Sequence, residues 1–179
     1  MAICIAHNTI VYNISGVIRD AFQLDKQLCF ALHATSRAVT QAYGPLLAPL
    51  HVTYPQYLVL LVLWEGDGLT VSDIGERLYL DSGTVTPLLK RLEAAGLLRR
   101  TRDTDDERIV RISLTTQGKK LRSRAENIAD GVACALGIDA VELAAIREPL
   151  RKILSRYRSQ QPQQPAKPSP RKNRKKSPR

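Results

Sequence analysis

Leu24, Leu28, Leu32, Thr35 and Val39 recur at three- and four-residue spacing, which predicts an amphipathic first helix that Gly44-Pro45 stops. Tyr54-Pro55 opens an almost wholly apolar run to Trp64, the pattern of a buried helix capped by Thr53 and ended by Gly66-Asp67-Gly68. Thr70, with Asp73 three residues on, marks the next start, and Leu69 and Ile74 occupy the two staple positions. Asp81-Ser82-Gly83 then reads as a tight turn into a short helix whose inner stripe is Val85, Leu88, Leu89 and Leu92 and whose stop is Gly96. Its outer face holds Gly83, Thr86, Pro87, Lys90 and Arg91. Residues 97–101 and 108–114 read as two strands joined by the acidic run Asp103-Thr104-Asp105-Asp106-Glu107. A long helix is expected from Thr115 or Thr116 through Leu136. Asp139 with Glu142 caps a last one reaching about Tyr157, kinked at Pro149. The fold class is therefore mainly α with a small β hairpin.

Composition places this pattern in one compact domain with appendages. Of 179 residues, 44% are hydrophobic and 5% aromatic, with 27 Lys+Arg against 17 Asp+Glu for a net charge of +10. Seven basic residues and no acid fall in 159–179, so the rest of the chain carries a surplus of only three. That Gln/Pro/Lys/Arg/Ser tail has no apolar anchors and is expected to be disordered. Residues 1–19 are mildly apolar without clean periodicity and read as an extension, consistent with a mis-called start codon, to which no role is assigned. The domain proper is expected over 20–158. No run of eighteen apolar residues exists and no basic segment precedes the first apolar ones, which predicts a cytoplasmic protein with no membrane span. Cys4, Cys29 and Cys134 make neither a disulfide framework nor a C-x-x-C metal site, so any cysteine chemistry is redox or catalytic.

Two short helices joined by a turn and followed by an Arg-edged hairpin form the pattern of a winged helix-turn-helix, expected here over about 53–114. A recognition helix must be apolar inside and small and polar outside to enter a groove about 12 Å wide. Residues 83–91 meet both demands. Ser82, Thr84 and Thr86 are suited to phosphates or base edges, Lys90 and Arg91 to phosphates, and Pro87 to a thymine methyl. In the hairpin, Arg102 and Arg108 are placed for a narrow minor groove, with Asp106 bracing Arg108. The competing reading of the same residues is the solvated face of a surface helix.

The stretch LLRRTRDTDDERIVRISLTTQG, residues 97–118, resembles the wing of the MarR family of dimeric bacterial regulators, with Asp106-Glu107-Arg108 at its tip and Leu114-Thr115-Thr116-Gln117-Gly118 after it. Residues 28–65 and 80–98 are similar to the branch of that family that senses organic hydroperoxides. The resemblance spans about 24–157 and leaves the N-terminal extension, the basic tail and Pro149 outside it. It implies a homodimer built on helices at about 24–43 and 116–157, each wing domain reading one half-site of a pseudo-palindromic double-stranded DNA operator.

Cys29 sits about one turn inside the first helix if Asp25 caps it, where the helix dipole favours thiolate, the form that attacks a peroxide. By itself it reads first as a small buried core residue. His33, four residues on, could act as a base or as half of a metal pair, but His7, His51 and Cys4 stand in no ligand spacing, so no metal or cofactor is expected. The resemblance implies that Cys29 is the peroxide sensor, hydrogen-bonded by Tyr43 and Tyr54. It also implies that Cys134 is the partner subunit's resolving thiol, with Cys4 a bystander. Tyr43 lies 14 residues beyond Cys29, about 21 Å along one helix, so such a bond requires the other subunit or a fold-back at Gly44-Pro45. The expected function is a repressor, not an enzyme, released from DNA by organic hydroperoxide. The alternatives are a regulator released by a small aromatic ligand and a thiol peroxidase, the latter disfavoured by the apolar residues around Cys29.

Overall fold

The computed structural model describes residues 4–6, 9–11, 23–103, 106 and 109–160. Two short strands, β1 (Cys4–Ala6) and β2 (Thr9–Val11), pair antiparallel with Cys4 opposite Val11. The sequence reading assigned no element to this extension. Thr9-Ile10-Val11 is nonetheless a β-branched run, which favours an extended backbone.

Helix α1 (Leu28–Leu47) follows a 3-10 turn over Leu24–Lys26, and its N-cap is Gln27, not Asp25. Cys29 is therefore the second residue of the helix. Nor does Gly44-Pro45 stop it. Pro45 is accommodated inside the last turn, and Leu47 and Leu50 beyond it are buried, so core contacts hold the segment that the local rule would have ended.

The next two helices start where their caps predict, and the one after them starts earlier than the sequence reading placed it. α2 (Tyr54–Glu65) opens at Thr53, whose amide and hydroxyl both donate to Gln56 Oε1, at 2.8 and 3.1 Å. α3 (Val71–Leu78) opens with a reciprocal pair, the Thr70 amide to Asp73 Oδ2 at 2.9 Å and the Asp73 amide to Thr70 Oγ1 at 3.1 Å. α4 (Ser82–Ala94) is capped by Asp81, which takes the Thr84 amide at 3.0 Å, so Ser82 and Gly83 belong to the helix rather than to a turn before it.

Strands β4 (Leu98–Arg102) and β5 (Val110–Leu114) form the expected hairpin, and β3 (Leu69–Thr70) adds a third strand along β5, Leu69 opposite Ile112. The sheet order is β3-β5-β4. Val59, Leu60 and Leu63 of α2, Ile74 of α3, Val85, Leu89 and Leu92 of α4, and Ile112 of β5 close one core beneath the helix-turn-helix. Each such side chain contributes about 1.5–3 kcal/mol by leaving water.

The long helix expected through Leu136 is two, α5 (Thr116–Arg124) and α6 (Ile128–Leu136), with a break at 125–127. The turn buries both Ala125 and Ile128, and Asn127 adopts a non-helical backbone suited to a turn. α6 lies against the end of α1, where Gly131 admits the Leu46 side chain.

Helix α7 (Ala140–Gln160) belongs to a separate compact unit beginning at Ile138. Asp139 caps it, accepting from the amides of Val141 and Glu142 at 2.8 Å, and the helix is continuous across Pro149. It extends through Ser159 and Gln160, so the tail expected from 159 starts at least two residues later; its remainder lies outside the described residues. None of the side chains of α7 is buried, and Val141, Leu143, Ile146, Ile153, Leu154 and Tyr157 are exposed.

Candidate nucleic-acid interface and thiol sensor

The outer side of α4 presents the residues that sequence reasoning selected. Ser82, Thr84, Pro87, Lys90 and Arg91 are exposed and Thr86 is half-buried, while Val85, Leu89 and Leu92 anchor the opposite side. Two hydroxyl protons are already committed within the helix. Thr84 Oγ1 donates to Asp81 Oδ2 at 3.1 Å and Thr86 Oγ1 to the Ser82 carbonyl at 2.6 Å, so toward a ligand both offer lone pairs and methyl groups. Lys90 and Arg91 form no ion pair among the described residues and remain available to an anion.

In the wing, Arg102 ends β4 and is exposed, as is Asp106. The hairpin end is closed by the Asp103 amide bonded to the Ile109 carbonyl and the Ile109 amide to the Asp106 carbonyl, both at 2.9 Å. Arg108, with its expected brace from Asp106, lies outside the described residues. Arg111 is paired with Asp103.

Sequence reasoning missed the corner that holds wing, recognition helix and α2 together. Asp67 Oδ1 accepts the Leu114 amide at 2.8 Å and its other oxygen is 3.2 Å from Lys119 Nζ. Burial raises the Asp67 carboxyl's affinity for a proton, but the Leu114 amide, the Lys119 ammonium and the Gly68 amide more than reverse this and hold it below the usual carboxylate range. Trp64 Nε1 donates to the Gly118 carbonyl at 3.0 Å. A Cβ at Gly118 would stand 2.0 Å from the Leu97 carbonyl oxygen, so only glycine lets α5 cross the segment just after the recognition helix. The only sequence signal for this corner was the glycine in Leu114-Thr115-Thr116-Gln117-Gly118.

On the thiol side, Cys29 and Cys134 are both free and exposed. Tyr43 and Tyr54 come together, ring centroids 4.5 Å apart, with Tyr57 5.8 Å from Tyr43 and Trp64 6.1 Å from Tyr57. Burial pushes the Tyr43 and Tyr54 phenols above their ordinary range, and at Tyr43 the neighbouring tyrosines add to it, so both rings keep their protons at neutral pH. They are hydrogen-bond donors. They are not, however, beside the Cys29 of their own chain. α1 is unbroken at Gly44-Pro45, which removes the fold-back and leaves about 21 Å of helix between Cys29 and Tyr43.

The two thiols are likewise apart. Cys29 is about 25 Å along α1 from Leu46, whose Cδ1 lies 3.0 Å from the Cβ position of Gly131, and Cys134 is one turn beyond Gly131 in α6. Even with every step aligned, at least about 11 Å separates the two Cα atoms, beyond the roughly 7 Å a disulfide can bridge. Among the described residues, no group of three His, Cys, Asp or Glu side chains could hold a metal ion, and no single helix is long and apolar enough to cross a membrane.

A helix-turn-helix whose second helix is apolar inside and cationic outside, backed by a three-stranded antiparallel wing, defines a winged-helix protein. Residues 52–110, from just before α2 to the start of β5, match the MarR family. The chain is 52% identical over 134 residues to the HTH-type transcriptional regulator TtmR of Methylorubrum extorquens, covering 75% of this chain and 69% of that one. It is 56% identical over 109 residues to the organic hydroperoxide resistance transcriptional regulator of Bacillus subtilis, covering 61% and 74%. The structure is similar to AbfR of Staphylococcus epidermidis, solved reduced and bound to DNA, at 36% identity with a TM-score of 0.65 over 79% of this chain and 99% of that one. AbfR has also been solved overoxidised on DNA and with a disulfide formed. The chain belongs to the MarR family: it is a MarR-type transcriptional regulator and not an enzyme, which sets the thiol-peroxidase alternative aside.

Proposed function

We propose that the protein is a homodimeric repressor that holds a pseudo-palindromic double-stranded DNA operator and lets it go when organic hydroperoxide oxidises Cys29. In this reading Ser82, Thr84, Thr86, Pro87, Lys90 and Arg91 enter the major groove, and Arg102 and Arg108, with Asp106, serve the minor groove. The dimer forms through the segments 24–43 and 116–157. The similarity to a hydroperoxide regulator and to AbfR, solved both on DNA and in oxidised forms, supports it.

The observation that carries the proposal is geometric. Cys29 is exposed on the outer half of α1, out of reach of the Cys134, Tyr43 and Tyr54 of its own chain. A second subunit laid along α1 supplies all three. The two protonated phenols then donate to the partner's thiolate and hold it where a peroxide can approach. The thiolate attacks the terminal peroxide oxygen, the O–O bond breaks, and the leaving alkoxide takes up a proton to give the alcohol. Cys29 becomes a sulfenic acid. Attack by the partner's Cys134 thiol forms the S–S bond and releases water, and the strained dimer carries the wing domains out of register with successive major grooves.

The test is a titration of an operator, selected from random-sequence DNA, with and without cumene hydroperoxide. Wild type should release DNA, and Cys29→Ser should bind equally well and ignore the oxidant. On a non-reducing gel, a covalent dimer should form only in the chain with both thiols and disappear in Cys134→Ser. Release of Cys29→Ser at the same dose removes the cysteine mechanism and favours reversible binding of a small ligand.

A further inference from the structure

α1 carries a second titratable group beside its cysteine. The helix is unbroken from Leu28 to Leu47, so Cys29 and His33, four residues apart, lie on one face with about 5–6 Å between their Cβ atoms. Every Cα–Cβ bond in a helix tilts toward the N-terminus, which leans the imidazole of His33 back over the thiol rather than away from it. Both side chains are exposed, and neither makes a hydrogen bond or ion pair with another described residue.

The other groups around the thiol are poor sources of a proton near neutral pH. Leu28, Phe30 and Leu32 have none to give. An aspartate is already ionised there, a lysine keeps its proton to about pH 10 and an arginine beyond that, which sets aside Asp25 and Lys26 of the preceding 3-10 turn and Arg37 one turn past His33. Burial raises the phenols of Tyr43 and Tyr54, which suits them to donate hydrogen bonds and not to lose a proton. An imidazole both holds and releases a proton in this range. Oxidation by a hydroperoxide needs such a group. When a thiolate attacks the terminal oxygen, the O–O electrons leave on an alkoxide, a strong base whose departure is slow unless an acid neutralises it as the bond breaks.

We propose that His33 is the acid that delivers a proton to the departing alkoxide oxygen as the O–O bond breaks at Cys29 of the same chain. The proposal rests on the reading of Cys29 as the peroxide sensor, and it supplies the proton that this reading leaves without a source. An S–O bond forms between the Cys29 sulfur and the terminal peroxide oxygen. The O–O electron pair passes to the other oxygen, and the N–H proton of the His33 imidazolium joins it to give the alcohol. His33 is left neutral and takes a proton back from water. The partner's phenols then hold the thiolate, while the chain's own helix discharges the leaving group.

The test follows consumption of the free Cys29 thiol, by quenching with an alkylating reagent and peptide mass, in the full chain and in His33→Gln. Two oxidants are compared. Cumene hydroperoxide expels an alkoxide, which needs a proton, whereas peracetic acid expels a carboxylate, which is stable without one at neutral pH. Glutamine keeps a polar side chain on the helix but has no proton to give. His33→Gln should therefore slow the reaction with cumene hydroperoxide about a hundredfold, and leave the rate with peracetic acid and the melting temperature unchanged. An unchanged rate with cumene hydroperoxide overturns the inference. So does an equal loss with both oxidants, because His33 would then act on the thiol or on packing and not on the leaving oxygen. If the wild-type Cys29 thiol is consumed by neither oxidant, the sensor reading of Cys29 falls as well; if it is consumed and His33→Gln changes nothing, only the role of the histidine falls.

Discussion

The winged-helix module and the helices that carry the two cysteines are built to different standards of completeness. From α2 to β5, Val59, Leu60, Ile74, Val85, Leu89, Leu92 and Ile112 are each 0% exposed, and each helix begins on a side-chain cap: Thr53, Thr70 and Asp81. In α1 only Leu47 is buried; Leu28 is 62% exposed, Leu32 40% and Phe30 37%. Neither α1, which carries Cys29, nor α6, which carries Cys134, has a side-chain cap hydrogen bond at its start. The winged-helix half finishes its own core within one chain, whereas the helix that carries Cys29 leaves apolar surface open and holds its cysteine apart from Tyr43 and Cys134. In the function proposed above, a site completed by a second copy would couple its chemistry to the geometry of the dimer, which is what a repressor needs to convert one oxidation into a changed spacing between two wings.

The sharpest way to break this contrast is to cut equal volumes from both regions. Leu60→Ala should cost about 2–5 kcal/mol and lower the melting temperature at every protein concentration. Leu32→Ala should change the stability of the isolated chain by less than about 0.5 kcal/mol and instead weaken self-association, seen by sedimentation equilibrium and as a melting temperature that falls on dilution. Equal, concentration-independent losses in both variants would erase the difference between the regions.

The wing sharpens it next. Arg108→Ala should weaken operator binding by about 1–3 kcal/mol, most at A·T-rich minor grooves, and Lys90→Ala should weaken all sequences alike and lower the salt slope by about one unit. Sequence-blind losses in both would reduce the module to phosphate contacts.

Capping gives a smaller effect and one that depends on pH. Thr70→Ala should cost about 1 kcal/mol. The Thr70 amide and hydroxyl, with Arg111 nearby, hold the Asp73 carboxyl below its ordinary range, and Asp67 is lowered on balance as described. For a carboxyl whose folded value is depressed, the stabilisation is present above the unfolded value and is lost as pH falls through the folded one. The acid loss should therefore fall below about pH 4. Acid titration of Asp67→Asn should be flatter there than that of wild type. The tyrosine pair behaves oppositely: with raised phenols, its contribution is intact below about pH 10 and is lost above it.

What was legible in the sequence follows the same division. The starts of α2 and α3 could be read because each is a conversation between residues three apart, Thr53 with Gln56 and Thr70 with Asp73, whereas at α4 the turn-forming Asp81-Ser82-Gly83 hid the same device, Asp81 with Thr84. The periodic burial of Val85, Leu89 and Leu92 and the hairpin were legible for the same local reason. What escaped depends on distant partners. α1 runs through Pro45 because Leu47 reaches the core, the α5–α6 break buries Ala125 and Ile128, and β3 exists because Leu69 meets Ile112 more than forty residues away. Tyr43 and Tyr54 could be named as a pair only through the family resemblance; their 4.5 Å approach is a tertiary fact.

The smallest expected effect concerns the basic tail, which belongs to neither region. Residues 161–179 hold Lys167, Arg171, Lys172, Arg174, Lys175, Lys176 and Arg179 with no acid, so they attract any polyanion without regard to its sequence. Such contacts add to operator and random DNA alike and so raise affinity more than discrimination. Deleting 161–179, past the end of α7 at Gln160, should leave melting and peroxide release unchanged. It should weaken binding to random duplex and flatten the dependence of log affinity on log salt. If full-length and truncated chains give the same slope on random duplex, the tail does not touch DNA, and sequence-independent affinity comes from the cations of the winged-helix module alone.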